Sequence, residues 1–144
     1  MRVDLEDTLA DDQTLTATGN SEHVKNLKAA ARKFGAGIQL VIAIIVKAIV
    51  ANDADETYVA QAQVDDATGL PSPTLIGQAV TIPRAAAVGS VHVVYLPQDL
   101  AYEQFLALKM TLGGTTPSIT FDAFIVPATA LQNESYLANR QPIS

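Results

Sequence analysis

Polar and apolar positions alternate along most of this chain, and the alternation is clearest where apolar content is highest. In IQLVIAIIVKAIVA, residues 38–51, the even positions Leu40, Ile42, Ile44, Val46, Ala48 and Val50 carry no polar break. The odd positions are mixed: Gln39, Val41, Ala43, Ile45, Lys47 and Ile49. A membrane-spanning helix needs about 20 apolar residues; this run is shorter and is interrupted by Gln39 and Lys47. Its Ile and Val content favours a pleated strand, because β-branched side chains lose little freedom there. The even face is expected in a core, and the half-apolar odd face against another layer, an arm or a neighbouring subunit.

The same period of two recurs elsewhere. Strands are predicted at 13–18, 24–27, 58–64, 74–82, 91–96, 104–112 and 119–126. Tyr58, Ala60, Ala62 and Val64 share one face, as do Ile76, Val80 and Ile82. Leu106, Leu108, Met110 and Leu112 alternate with Phe105, Ala107, Lys109 and Thr111, and Ile119, Phe121, Ala123 and Ile125 form the apolar side of the last strand. Punctuation comes from Asn20–Ser21, Gly35–Ala36–Gly37, the polar turn at 52–56, Pro71, Pro73, Pro83 and Pro97. A crossing loop is expected at 98–103, and a hairpin-type connection at Gly113–Gly114–Thr115–Thr116–Pro117. Leu5 and Leu9, four apart, suggest a short helical turn near the start. About eight strands at regular spacing, without crossover helices, predict an all-β, eight-stranded antiparallel sandwich or jelly roll. The expected organisation is an N-terminal arm at 1–12, the β-domain at 13–127 and an extended tail at 128–144.

Composition narrows the function. At 144 residues the chain is one domain, with a radius of gyration of about 15 Å. Charged residues are only 17%, against about 25% in ordinary soluble domains, which suits a protein largely covered in an assembly. The net charge of −6, with Lys25, Lys28, Arg32 and Lys33 only a local basic group on the way to a loop, argues against nucleic acid, whose binding rests on Lys and Arg displacing counterions. With no cysteine, disulfides, thiol catalysis and thiolate metal sites drop out together. Residues 1–12 are acidic without the apolar run of a secretory leader, so synthesis in the cytoplasm is expected, with no membrane partner.

Candidate chemistry is sparse. His23 and His92 are the only histidines, and a cupin-type metal site needs several converging on one ion; His92 is expected on a polar strand face. Asp53, Asp55 and Glu56, and likewise Asp65–Asp66, offer oxygens of the kind calcium takes, but without EF-hand spacing they read as solvated turns. Asp122 shares a face with Thr120, Phe124 and Val126; it is either partly solvated or a subunit contact satisfied by a backbone or lysine partner. No G-x-S-x-G and no phosphate loop is present. The expectation is no enzyme, no cofactor and no metal.

The order of features resembles a known family. Asp12–Gln13–Thr14–Leu15–Thr16–Ala17–Thr18, then Gly35–Ala36–Gly37 before the long apolar strand, then Val93–Val94–Tyr95–Leu96–Pro97 follow one another. Phe105–Leu106–Ala107–Leu108–Lys109–Met110–Thr111, Gly113–Gly114 and a closing strand through Ala123 complete the series. Together they resemble the jelly-roll capsid cement (decoration) proteins of tailed bacteriophages, over roughly residues 3–132. Where that family commonly has Arg-Tyr-Leu-Arg, this chain has Gln104–Phe105–Leu106–Ala107, so ionic contacts of those arginines are missing. The resemblance implies a virion structural protein on the outer capsid surface, made in the host cytoplasm. Its implied partners are the major capsid protein and copies of itself, as a dimer or trimer at a symmetry axis. The partner contacts expected here are Val41, Ile45, Ile49, Asp122, Phe124, Tyr136 and Leu137. The alternatives weighed are a carbohydrate-binding β-sandwich on a virion, which the lack of Trp leaves poorly equipped, and a small hydrolase.

Overall fold

The structure is a computed structural model and describes residues 8–26, 40–51, 55–67, 69–96 and 105–128. It contains nine strand segments and no helix of a length or apolarity to cross a membrane among the described residues. They are β1 (Thr8–Leu15), β2 (Gly19–Asn20), β3 (Lys25–Asn26), β4 (Leu40–Ile49), β5 (Thr57–Asp65), β6 (Thr74–Ile82), β7 (Val91–Tyr95), β8 (Phe105–Gly113) and β9 (Ile119–Pro127). One sheet runs β1-β9-β4-β7 and the other β2-β8-β5-β6, with β3 also on β8. Every pairing is antiparallel. β2 and β3 occupy one strand's place, so eight strands form the sandwich. First pairs with last, second with second-last, and so inward to the β5–β6 hairpin. That nesting is the order of a jelly roll, a folded ribbon wrapped so that two sheets face each other.

Alternation dictates what goes inside. Ile42, Ile44 and Val46 of β4 meet Phe121, Ala123 and Ile125 of β9, and across the gap Tyr58, Ala60, Ala62 and Val64 of β5 meet Leu106, Leu108 and Met110 of β8. Each such aliphatic side chain contributes roughly 1.5–3 kcal/mol on burial. The expected inward faces of 40–46, 58–64, 74–82, 106–112 and 119–125 are all found in this core.

Departures fall where hydrogen-bond registry shifts. β1 starts at Thr8 rather than at 13, so Thr8–Asp12 belong to the sheet; the helical turn is absent over the described part, and residues 4–7 lie outside the described residues. Two leucines four apart cannot sustain a helix nucleus, whereas β9 pairs Thr8 and Ala10 on either side of Leu9, with a register shift between them. Gly19–Asn20 is a strand segment rather than the start of a turn. The gap between β2 and β3 is bridged by Ser21, whose N–H donates to Leu108 O at 2.7 Å while its Oγ accepts from Leu108 N–H at 3.0 Å.

A bulge between Val46 and Ala48 reverses the parity of β4. Ile49 consequently packs on the main core, and Ala48 is exposed. The Gly113–Gly114 connection is not a hairpin within one sheet: β8 pairs β5 in one sheet and β9 pairs β4 in the other, so it arches between layers. Gly114 is required there. Its φ is +101°, and a Cβ would lie 2.6 Å from Asp55 O. The 98–103 loop and the tail beyond Ala128 lie outside the described residues.

Candidate functional site on the outward sheet face

The β1-β9-β4-β7 sheet has a second side, turned away from its partner sheet, and this side is apolar. Val41, Ala43 and Ile45 of β4 stand beside Phe124 and Val126 of β9, with Val91, Val93 and Ala128 at the margin. The register places Val41 opposite Val126 and Ala43 opposite Phe124. No described strand lies over this face, yet Val41, Ile45 and Phe124 are only 0%, 3% and 0% exposed. Towards β7 the face opens: Val91 and Val93 are half-buried, and Tyr95, across from Val41, is 60% exposed.

Asp122 lies on the same side, opposite Ile45, and is buried. Its Oδ1 accepts the Asp12 N–H at 2.8 Å, and its Oδ2 lies 3.7 Å from Lys47 Nζ. The same ammonium is 3.7 Å from Asp12 Oδ1. Asp12 reaches this position through a left-handed φ of 51° within the register shift between Ala10 and Gln13 of β1, a conformation that aspartate tolerates better than most residues. Asp11 brings a third carboxylate into the group, all with oxygens within 4.8 Å. Lys47 is the counter-charge of this cluster. A buried carboxylate needs such partners to avoid a desolvation cost of several kcal/mol, and here both belong to the same chain.

The expected contacts are therefore partly assembled. Val41, Ile45, Phe124 and Asp122 share the outward face; Ile49 is on the other side, moved there by the bulge; Tyr136 and Leu137 lie outside the described residues. Val91, Val93 and Tyr95 were not singled out from the sequence. Their signal was the uncharged, β-branched run VHVVY.

The remaining candidates do not converge. Asp55 receives Thr115 N–H at 3.2 Å and Thr115 Oγ1 at 2.7 Å, and the hydroxyl bond first, then the backbone bond, holds its pKa below the ordinary carboxylate value. It pins the β8–β9 arch. Asp65 receives Ser72 N–H at 2.7 Å and Asp66 N–H at 2.6 Å, and the Ser72 bond chiefly lowers its pKa. Asp53 lies outside the described residues. His92 is opposite Ile44 and shares the core-facing side with Val94, not a polar face. Its Nε2 is 3.1 Å from Ser90 Oγ, and desolvation lowers its pKa. His23 makes an exposed 3.7 Å contact with Glu22. The contacts of Asp55, Asp65, His92 and His23 are all local. No family model matches the chain, and no curated protein matches it.

Proposed function

We propose that this chain is a virion structural protein, a cement subunit that binds the outer surface of an icosahedral phage head and clamps neighbouring major capsid proteins. The observation that carries the reading is the apolar margin of the outward side of the β1-β9-β4-β7 sheet, where Val91, Val93 and Tyr95 reach solvent, in a jelly roll with unusually few charges. An ordinary free sandwich has one apolar side per sheet and a solvated other side; here both sides of one sheet are apolar. Of the sequence motifs behind the resemblance, those on β1, β7 and β9 lie in this sheet, and the one at 105–111 lies on β8 of the facing sheet. The contact a shell meets first is the open margin at Val91, Val93 and Tyr95, where the face reaches solvent.

A clamp stabilises a lattice because it binds assembled subunits and not separate ones, which shifts the equilibrium by mass action. The test is addition of the purified protein to expanded heads that lack it, followed by sedimentation and heating. Co-sedimentation at saturating stoichiometry and a raised temperature of head disruption are expected. Protein remaining in the supernatant at every concentration would overturn the proposal.

A further inference from the structure

We propose that two copies of this chain join through β7, each pairing antiparallel with the other about a two-fold axis at Val93. This surface shares Val91, Val93 and Tyr95 with the margin proposed to meet a shell, but it uses their backbone edge rather than their outward side chains. An open edge presents unpaired N–H and C=O groups, and proteins blunt such edges with charge, bulges or shortness. Three of the four are blunted here. β1 carries Asp11 and Asp12 with two register shifts; β2 and β3 are two residues each; β6 loses registry opposite Gln61, with Gly77 at a φ of 68°. β7 has none of these devices. It pairs one-to-one with β4 from Val91↔Ile45 to Tyr95↔Val41, and it contains no Asp, Glu, Lys or Arg.

The phase of its hydrogen bonds decides what the edge offers. Leu96 N–H donates to Leu40 O, and Val46 N–H donates to Ser90 O. Residues 90, 92, 94 and 96 therefore point their backbone groups at β4, while Val91, Val93 and Tyr95 point theirs outward. No partner for these outward groups exists among the described residues. Because side chains and backbone alternate together, the same three residues also line the apolar outward face.

The occupant this edge fits is itself. With Val93 on the axis, Val91 faces Tyr95 of the second copy and His92 faces its Val94, so no like charges meet. Three hydrogen-bonded pairs would exchange about six interchain bonds. The flank is also where the chain, at net −6, repels a copy of itself least: from Thr74 to Tyr95 the sole formal charge is Arg84. Among the described residues, the three exposed large apolar side chains, Leu75 (48%), Val88 (70%) and Tyr95 (60%), all come from β6, β7 and their connection.

The test is sedimentation equilibrium of the full chain. The wild type is expected at twice 15.2 kDa. Val93→Pro deletes an N–H that makes no bond to β4, and Tyr95→Lys places a charge on an already exposed site; each should raise the dimer dissociation constant at least about 100-fold, the loss of one hot-spot contact, with an unchanged far-UV spectrum. Thr14→Lys, on the opposite flank, should leave the dimer intact. Should Val93→Pro misfold, Tyr95→Lys decides alone. A monomeric wild type at tens of micromolar, or a dimer indifferent to Tyr95→Lys, overturns the proposal whether or not heads are bound.

Discussion

Tyr58 joins the two sheets through its polar end, and its substitution by Phe isolates that contribution. The ring is 0% exposed within the core. Its hydroxyl lies 2.6 Å from Val50 O and 3.1 Å from both Ser118 O and Ser118 N. One proton serves one carbonyl, and the shorter distance assigns it to Val50; the oxygen then accepts the Ser118 N–H. The hydroxyl of β5 thus fastens the end of β4 and the start of β9. Phe keeps the ring and its packing, so no cavity term enters. What remains is one N–H and one carbonyl that lose their partner. An unsatisfied buried group costs about 1–3 kcal/mol, and Val50 and Ser118 are half-buried, so water recovers part of it. The expected loss is about 2 kcal/mol, or roughly 4–8 °C in Tm for a chain of this size. Urea unfolding at fixed protein concentration measures it, with an unchanged m-value confirming that the unfolded state is unaffected. A loss below about 0.5 kcal/mol would refute the reasoning, since it would mean that the hydroxyl's bonds do not outweigh its desolvation.

Two further expectations follow from the β8–β9 arch. Gly114→Ala should destabilise by at least about 1–3 kcal/mol, the cost of a left-handed non-glycine residue, with more added because the new Cβ meets the Asp55–Glu56 backbone; a melting temperature equal to wild type would contradict the close approach. Asp55, whose pKa is lowered chiefly by Thr115, contributes stability that is full above its unfolded value of about 4 and is lost as pH falls through the folded one. Thr115→Val should flatten the acid limb of a stability–pH curve below about pH 4 and leave its neutral region with the same slope; an unaltered acid limb would exclude this bond as its source.

The fold was legible because burial obeys a period of two. From Tyr58 to Val64 and from Ile119 to Ile125 the inward set could be read directly, and the inward set is what fixes which sheet faces which. Illegible were the places where the count of residues on paired strands differs. Nothing in IVKAI announces the extra residue between Val46 and Ala48, because the bulge is a property of the β4–β9 pair and not of β4. It moved Ile49 to the core, and with it one of the expected contacts. The ion-paired cluster was half legible. Asp122 stood out as a carboxylate on an apolar strand, but Lys47 and the backbone of Asp12 are brought to it by register and by the bulges in β1. His92 was misplaced for a related reason. On an edge strand a polar side chain can sit on the core-facing side where the sandwich ends, next to Ser90, at the cost of a lowered pKa.

The two proposals draw on one strand, β7, the first on its outward side chains and the second on its backbone edge, and the geometry of antiparallel pairing links them. Directly opposed residues of an antiparallel pair project to the same side. A two-fold at Val93 would therefore keep both outward faces on one side of a continuous sheet, β1-β9-β4-β7 joined to its copy in reverse order. A shell surface that contacts the open margin of one copy would then meet the margin of the second at a fixed offset. The second contact is intramolecular, so its effective concentration is set by the rigid sheet rather than by bulk protein. Weak individual contacts, which the low charge and modest exposed apolar area imply, then suffice for tight attachment. The proposed dimer would also account for the absence of blunting on β7, the one edge among the described residues without it.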